Sequence, residues 1–270
     1  AATGATETVR FNTAAANTVT LGGAASIATG GILVTGGVGA NLSTITNGAV
    51  PANTVTSGNG ADLIIHQYNS LGALLISADI TGAIGLTKAG QGTLILDQNS
   101  SFTGGVAIGQ GRLQVGNGGT TGDLGAGTGA ITNNGVLAFN RTNALTAGNV
   151  IQGNGWLIQD GVGGTLTLGN ATTASTYTGR TSVLNGTLVA LRDTALGAIS
   201  GITTVNSGAT LDFGDGTGAL LGSNNVAEII TLKGGTLRDN TTAAAQTIFN
   251  SAIVLLGVNN TISTVTAADE

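Results

Sequence analysis

The chain has 270 residues, of which 47 are glycine and only 8% are charged, against about 25% in an ordinary globular domain. A mean hydropathy of +0.34 combined with a formal net charge of only -5 excludes a disordered chain, and the missing glycine at every third position excludes collagen. The basic residues are dispersed through an acidic sequence, so we expect no nucleic-acid partner.

The core has to be built almost entirely from Ile, Leu, Val and Ala, because the chain has no cysteine or methionine and only 3% aromatic residues. Such a core is narrow and layered.

No run of about 18 consecutive apolar residues is present, so the sequence predicts no membrane-spanning helix. The chain begins at Ala1 without methionine or a signal-peptide pattern, which suggests a processed protein or a piece of a longer one.

The N-terminal part of the chain contains pairs of threonines with one residue between them, as in Thr18-Val19-Thr20 and Thr44-Ile45-Thr46. Similar pairs recur at Thr54-Val55-Thr56, Thr165-Leu166-Thr167 and Thr264-Val265-Thr266. Rows of threonines in successive coils would suggest an ice-binding surface. The spacing of the pairs is irregular, so we expect no such array, and the preference of threonine for β-strands is sufficient to explain them.

The only histidine, His66, belongs to the segment from Leu63 to Tyr68. Any Ser-His-Asp site or histidine-ligated metal site would have to use this residue. Strand alternation puts Ile64 and His66 on one face of the segment and Ile65 and Gln67 on the other. We therefore predict a structural role for His66 on a strand or at the edge of a coil.

Two internal copies of one pattern span about residues 85–115 and 155–189. Each contains short alternating strands, such as Thr93-Leu94-Ile95-Leu96, with glycine before or after the strand. The pattern of a glycine followed by a short alternating strand recurs near Gly208 and Gly235. The spacings of about 20 to 27 residues suit one coil of a solenoid. Glycine and Asn-Gly pairs suit the tight corners of such coils. The sequence thus predicts an all-β chain, a parallel β-helix (β-solenoid) forming one segment over residues 1–270.

The best candidates for catalysis are Asp212 and Asp215, with Asp239 one coil further on beside Arg238. Polysaccharide hydrolases use paired carboxylates in this way. An acidic turn between strands is the favoured interpretation, because Asp-Gly is ordinary turn chemistry. A calcium site would need converging oxygen ligands, and the nine-residue Gly-Gly-x-Gly-x-Asp repeat is absent. We expect no catalytic residue, no metal ligand, no cofactor-binding residue and no enzyme activity.

The stretch from Gly85 to Leu96 reads Gly-Leu-Thr-Lys-Ala-Gly-Gln-Gly-Thr-Leu-Ile-Leu and continues through Phe102-Thr103-Gly104-Gly105 to Val115. It closely resembles the passenger-associated transport repeat of Gram-negative type V autotransporters. The second copy departs from this pattern, since it has Gln159-Asp160-Gly161 where the first copy has Lys88-Ala89-Gly90.

The resemblance implies a right-handed β-helical passenger that crosses the periplasm and the outer membrane and is displayed at the cell surface. Its partner would be a C-terminal outer-membrane β-barrel translocator, which is absent from this chain. The passenger would act as a structural stalk or an adhesin, through self-association or a host-surface ligand, and the repeat would assist folding and export. The absence of cysteine fits a chain that is threaded unfolded through a pore. The alternatives are a secreted fibre-forming β-solenoid and a β-helical polysaccharide-active enzyme.

Overall fold

The computed structural model describes residues 2–48, 50, 52–58, 60–126, 129–169, 173–214, 225–241 and 248–264. Within these ranges every regular element is a β-strand apart from the single 3-10 turn Gly36–Val38. No helix in the described ranges is long and apolar enough to cross a membrane. The predicted all-β architecture is confirmed.

The strands are short and follow one another closely along the chain. In chain order they are β1 (Ala2–Phe11), β2 (Asn17–Val34), β3 (Ser43–Thr46), β4 (Thr54–Ser57), β5 (Leu63–Gln67), β6 (Ala73–Ser77), β7 (Asp79–Ile80), β8 (Leu86–Ala89), β9 (Thr93–Leu96), β10 (Val106–Ile108), β11 (Arg112–Gly119), β12 (Ile131–Asn133), β13 (Val136–Arg141), β14 (Ala144–Ala147), β15 (Ile151–Gln152), β16 (Trp156–Gln159), β17 (Thr165–Leu168), β18 (Thr181–Val183), β19 (Thr187–Ala190), β20 (Ile202–Asn206), β21 (Thr210–Phe213), β22 (Asn225–Val226), β23 (Ile229–Lys233), β24 (Thr236–Asp239), β25 (Ile248–Phe249), β26 (Ile253–Leu256) and β27 (Thr261–Thr264). The chain divides into two compact units, Ala1–Ala138 and Phe139–Glu270, called unit 1 and unit 2 below. The single segment over residues 1–270 stays a prediction.

Unit 1 is a stack of coils whose strands pair in parallel, so that one core position lies directly above the next. One such column consists of the aliphatic side chains of Leu63, Leu86, Val106 and Ile131. None of the four is more than 3% exposed. Complete burial of a side chain of this size stabilises a fold by about 1.5 to 3 kcal/mol. The narrow, layered aliphatic core expected from the composition is therefore present.

Coil length in unit 1 varies with the length of the corners. Leu74 and Leu94 are in register, and the stretch of chain between them is within the predicted length of one coil. Ser43 and Leu74 are also in register, but a longer stretch of chain separates them. Most of the additional residues lie in the corner between β3 and β4, and the rest lie in the corners between β4 and β5 and between β5 and β6. Long corners thus lengthen a coil beyond the range expected from the sequence without disturbing strand pairing.

Unit 2 repeats the same construction. Its longest aliphatic column is formed by Leu145, Leu166, Leu188, Leu211, Leu237 and Ile262. The four middle members are buried, whereas Leu145 is half-buried and Ile262 is exposed. The step along the chain is shortest from Leu145 to Leu166 and longest from Leu211 to Leu237, yet the pairing stays in parallel register throughout. Corners absorb every difference in coil length. Unit 2 is therefore also a β-solenoid.

The corner at Gly111 shows why glycine is needed at some of these positions. Its φ of +68° lies in the left-handed region that residues with a side chain rarely adopt. A Cβ atom added there would lie 2.5 Å from the carbonyl oxygen of Gly92 in the coil below. The corners of successive coils are thus stacked too closely to accept a side chain.

Candidate functional site

A row of threonines runs along the outer surface of unit 2. Strands β17, β19, β21, β24 and β27 pair in register, which aligns their first residues, Thr165, Thr187, Thr210, Thr236 and Thr261. Each stands immediately before a residue of the aliphatic column, so strand alternation turns its side chain to the opposite face of the sheet, which is the outer one. With coils about 4.8 Å apart, the row is about 19 Å long. We call these five residues the threonine ladder.

The threonine ladder is a row of single threonines, and only Thr165 among them belongs to one of the Thr-x-Thr pairs, so the ladder does not contradict the expectation that those pairs form no regular array. The number of residues between successive members of the threonine ladder varies along the chain. The strands nevertheless pair in register, so the five side chains are evenly spaced in the structure. Unit 1 contains a smaller array, because Thr18-Val19-Thr20 on β2 is in register with Thr44-Ile45-Thr46 on β3. Two of the threonine pairs noticed in the sequence therefore lie side by side.

The threonine ladder is uncharged and can bond to a copy of itself. A hydroxyl group both donates and accepts hydrogen bonds, so a row of threonines is complementary to another such row. The next outward row of the same sheet is mixed, since it contains Val189, Asp212 and Arg238. The array is therefore one threonine wide.

The predicted carboxylate cluster is not assembled as an open acid pair. Asp212 lies in register with Arg238, whose Nη2 donates a hydrogen bond to Asp212 Oδ2. Burial raises the pKa of Asp212, and the hydrogen bond from Arg238 acts in the opposite direction. The solvent-exposed fraction of the Asp212 side chain is only 2%. This carboxylate is thus held in an ion pair.

Asp239 belongs to the opposite face of the same sheet. It is in register with the core residue Phe213, and its Oδ1 accepts hydrogen bonds from the backbone N–H and the hydroxyl of Thr241. Asp239 therefore closes the corner after β24. Asp215 lies outside the described residues. Within the described ranges no three His, Asp or Glu side chains are grouped so that they could hold a metal ion.

His66 lies on the outward face of β5 at the position that strand alternation predicted, while Ile65 and Gln67 point into the core. Its ring stacks on that of Tyr68, with ring centroids 5.8 Å apart and an interplanar angle of 13°. The Tyr68 hydroxyl oxygen lies 3.5 Å from His66 Nδ1. The structural role of His66 stays a prediction.

A buried polar group in unit 2 was missed by the sequence reasoning. Glu228 is 5% exposed, and its Oε1 accepts a hydrogen bond of 2.9 Å from the hydroxyl of Thr203. Its Oε2 is buried and has no hydrogen-bond partner among the described atoms. Burial raises the pKa of Glu228 to about 8. Strand alternation in the sequence could have predicted this burial, because Glu228 shares its face with the core residue Ile230.

A second buried polar group nearby is the hydroxyl of Tyr177, whose side chain is fully buried. Tyr177 Oη lies 2.7 Å from the hydroxyl oxygen of Thr181, and burial raises the pKa of Tyr177. Thr181 is in register with Thr203, the partner of Glu228. The interior of unit 2 thus contains polar groups on adjacent coils.

Buried polar side chains also close the corners between strands. Gln67, which is fully buried, donates from Nε2 to the carbonyl oxygens of Gly72 and Thr93, at 3.2 and 3.3 Å. Asn133, also fully buried, accepts a hydrogen bond of 3.1 Å from the backbone N–H of Gly135. Corners were predicted from Asn-Gly pairs such as Asn134-Gly135. At this corner the neighbouring Asn133 supplies the side-chain contact.

Lys88 is the most unexpected of these corner residues, because it is a lysine with no exposed surface. It shares its strand face with the core residue Leu86, so its side chain enters the core. The Nζ atom donates to the carbonyl oxygens of Ala89, Gly90 and Gln110, at 3.3, 2.5 and 2.9 Å. Burial lowers the pKa of Lys88 to about 8.

Comparison with known proteins places these features in a family context. A family model described as the passenger-associated transport repeat matches the chain twice, over residues 86–115 and 163–190. The chain is also 43% identical over 75 residues to the adhesin BmaC autotransporter of Brucella suis biovar 1 (strain 1330). That match covers 28% of this chain but only 2% of the relative. No solved structure matches the chain.

These matches confirm the resemblance drawn from the sequence. Over the matched residues, this parallel β-solenoid is similar to the passengers of autotransporters. The first match agrees with the predicted copy at about 85–115. The second begins at residue 163, later than the predicted 155, so Gln159-Asp160-Gly161 lies outside it. The relative is named an adhesin.

Proposed function

We propose that this passenger is a cell-surface adhesin that self-associates through the threonine ladder of unit 2. It reaches the surface through the periplasm and the outer membrane, attached to a C-terminal translocator. The threonine ladder is the observation that carries the proposal. Unlike a catalytic site, a linear row of identical hydroxyl groups suits repeated contacts with a second, similar row.

Physical considerations support this use of the ladder. The chain has a formal net charge of -5, so two copies repel each other at long range, and an uncharged contact row adds no further repulsion. Threonine is stiff at its first side-chain torsion, so little conformational entropy is lost when its hydroxyl is engaged. Each hydrogen bond of this kind contributes about 1 kcal/mol, so several rows or longer rows are needed for firm adhesion.

The experiment replaces two adjacent ladder residues by lysine, in the variant Thr187→Lys with Thr210→Lys. Facing copies would then bring like charges together in the contact row. We expect cells that display the full-length variant to lose aggregation, and the purified chain to sediment as a smaller species than the wild type at micromolar concentration.

The matched control is Thr204→Lys with Thr231→Lys. These two threonines are also outward-facing neighbours on adjacent coils, but they lie on β20 and β23. This variant carries the same added charge and should aggregate as the wild type does. Equal aggregation of all three proteins, or equal loss in both variants, would contradict a contact at the ladder.

A further inference from the structure

The hydrogen bonding of Lys88 is complete although no carboxylate takes part in it. A lysine ammonium has three N–H donors, and the carbonyl oxygens of Ala89, Gly90 and Gln110 provide one acceptor for each. A buried charge is tolerated only when it is compensated in this way. We call the three carbonyl groups the carbonyl cage.

The carbonyl cage contains groups from two successive coils. Ala89 is the last residue of β8 and Gly90 follows it, whereas Gln110 follows β10, which is paired in register with β8 in the next coil. The two corners lie against each other, since a Cβ atom on Gly111 would be 2.6 Å from the Gly90 carbonyl oxygen. Lys88 therefore binds the corner of its own coil and the corner of the coil above.

Carbonyl oxygens concentrated at one point repel each other unless a positive group lies between them. Protein sites for potassium ions are built on the same principle, with backbone carbonyl oxygens in place of water. The distances of 2.5 to 3.3 Å from Nζ suit an ammonium group or an ion of similar size.

We propose that the carbonyl cage is a site for a small monovalent cation, which Lys88 occupies with its own side chain, and that this cation joins the two coils of the first transport repeat. The proposal is independent of the adhesive role. It assigns the lysine of the repeat a definite task, which is to hold the coil of β10 on the coil of β8.

The corresponding corner in unit 2 shows what a neutral residue does instead. Gln159 is 2% exposed, and its Nε2 donates to the carbonyl oxygens of Gly161 and Gly164, both at 3.4 Å. Both acceptors belong to the corner that directly follows β16. The amide thus closes one corner without reaching the next coil. The amide of Gln67 does reach the next coil, through the Thr93 carbonyl oxygen, so Lys88 differs from these glutamines in its positive charge and in its three carbonyl partners.

The first test removes the charge but keeps the length of the side chain, in the variant Lys88→Met. Hydrogen exchange of the segment 106–115 should become at least about tenfold faster, because the carbonyl groups lose their donor. Exchange of the segment 187–190 in unit 2 serves as an internal reference and should not change. Lys233→Met, which alters the exposed lysine on β23, should leave both segments at wild-type rates. Wild-type exchange of 106–115 in Lys88→Met would overturn the proposal.

The second test empties the carbonyl cage with Lys88→Ala and adds cations. Potassium or ammonium chloride should raise the Tm of this variant above its value in tetramethylammonium chloride at equal ionic strength, because only the small cations fit. The wild type, whose cage is filled, should show the same Tm in all three salts. Identical Tm values for the variant in the three salts would count against a cation site.

A measurement on the wild type keeps the proposal testable even if the variants do not fold. An amine-acetylating reagent should modify Lys233 at least about tenfold faster than Lys88 in the native chain, and both at similar rates in denaturant. Mass spectrometry of peptides distinguishes the two lysines. Native acetylation of Lys88 at the rate of Lys233 would show that the ammonium is not enclosed.

Discussion

At the scale of single residues, Glu228 links the stability of unit 2 to pH. One oxygen of its buried carboxyl group is bonded to Thr203, and burial raises its pKa from 4.5 to about 8. The folded chain therefore holds this proton more tightly than the unfolded chain. Between these two pH values the folded state binds more protons, so the free energy of unfolding falls as pH rises.

We predict that the free energy of unfolding decreases by about 4 kcal/mol between pH 4.5 and pH 9 because of Glu228, at 1.36 kcal/mol per pKa unit. Urea denaturation at several pH values measures this change. Glu228→Gln should remove most of the decrease, since the amide does not titrate. Glu7→Gln, in an exposed position of unit 1, should keep the wild-type dependence. A pH dependence that is unchanged in Glu228→Gln would contradict the assignment.

At the scale of strands and corners, the sequence predicted what depends on alternation and missed what depends on register. The phrase Gly186-Thr187-Leu188 correctly indicated a strand with its leucine inside. Alternation alone could also have placed Lys88 in the core beside Leu86, but a charged residue is normally read as exposed. The threonine ladder could not be derived, because the register across coils depends on corner lengths that the sequence does not reveal.

The corners themselves are expected to tolerate a methyl group only where space is free. Gly111→Ala should destabilise the chain by about 3 kcal/mol or more, because φ is positive and the new Cβ would meet Gly92. Gly118 has a similar φ of +76°, but an added Cβ would meet nothing within 4 Å. Gly118→Ala should therefore cost only the roughly 1 kcal/mol of holding a residue with a side chain at positive φ. Urea midpoints of the two variants measure the difference. Equal midpoints would show that the corners are not closely stacked.

At the scale of the whole molecule, the composition predicted the all-β fold, but it did not predict which polar side chains lie side by side. A chain with 8% charged residues has few ways to cover its surface, and rows of threonine are one of them. The candidate acids Asp212 and Asp239 lie on paired strands but are one residue out of register, so they lie on opposite faces of their sheet. This displacement of one residue gives each acid its own hydrogen-bond partner, Arg238 for Asp212 and Thr241 for Asp239. Sequence spacing alone cannot determine such a displacement.

The absence of cysteine leads to a prediction for the complete protein. Thr204→Cys with Thr231→Cys places two cysteines on adjacent coils in register, a separation that a disulfide can span. We expect export to the surface to fall when this disulfide forms in the periplasm and to recover under reducing conditions, because a closed loop hinders threading. Surface labelling with and without a reductant measures it. Equal export of the oxidised and reduced forms would contradict this view of the missing cysteines.

The even rows of unit 2 persist although their coils differ in length by several residues. Residues can therefore be added at a corner without moving any side chain along the strands. Paired strands of successive coils stay about 4.8 Å apart whatever the length of the corners between them. A short foreign peptide placed in several consecutive corners would be displayed as a regularly spaced series, which suits this scaffold to multivalent presentation.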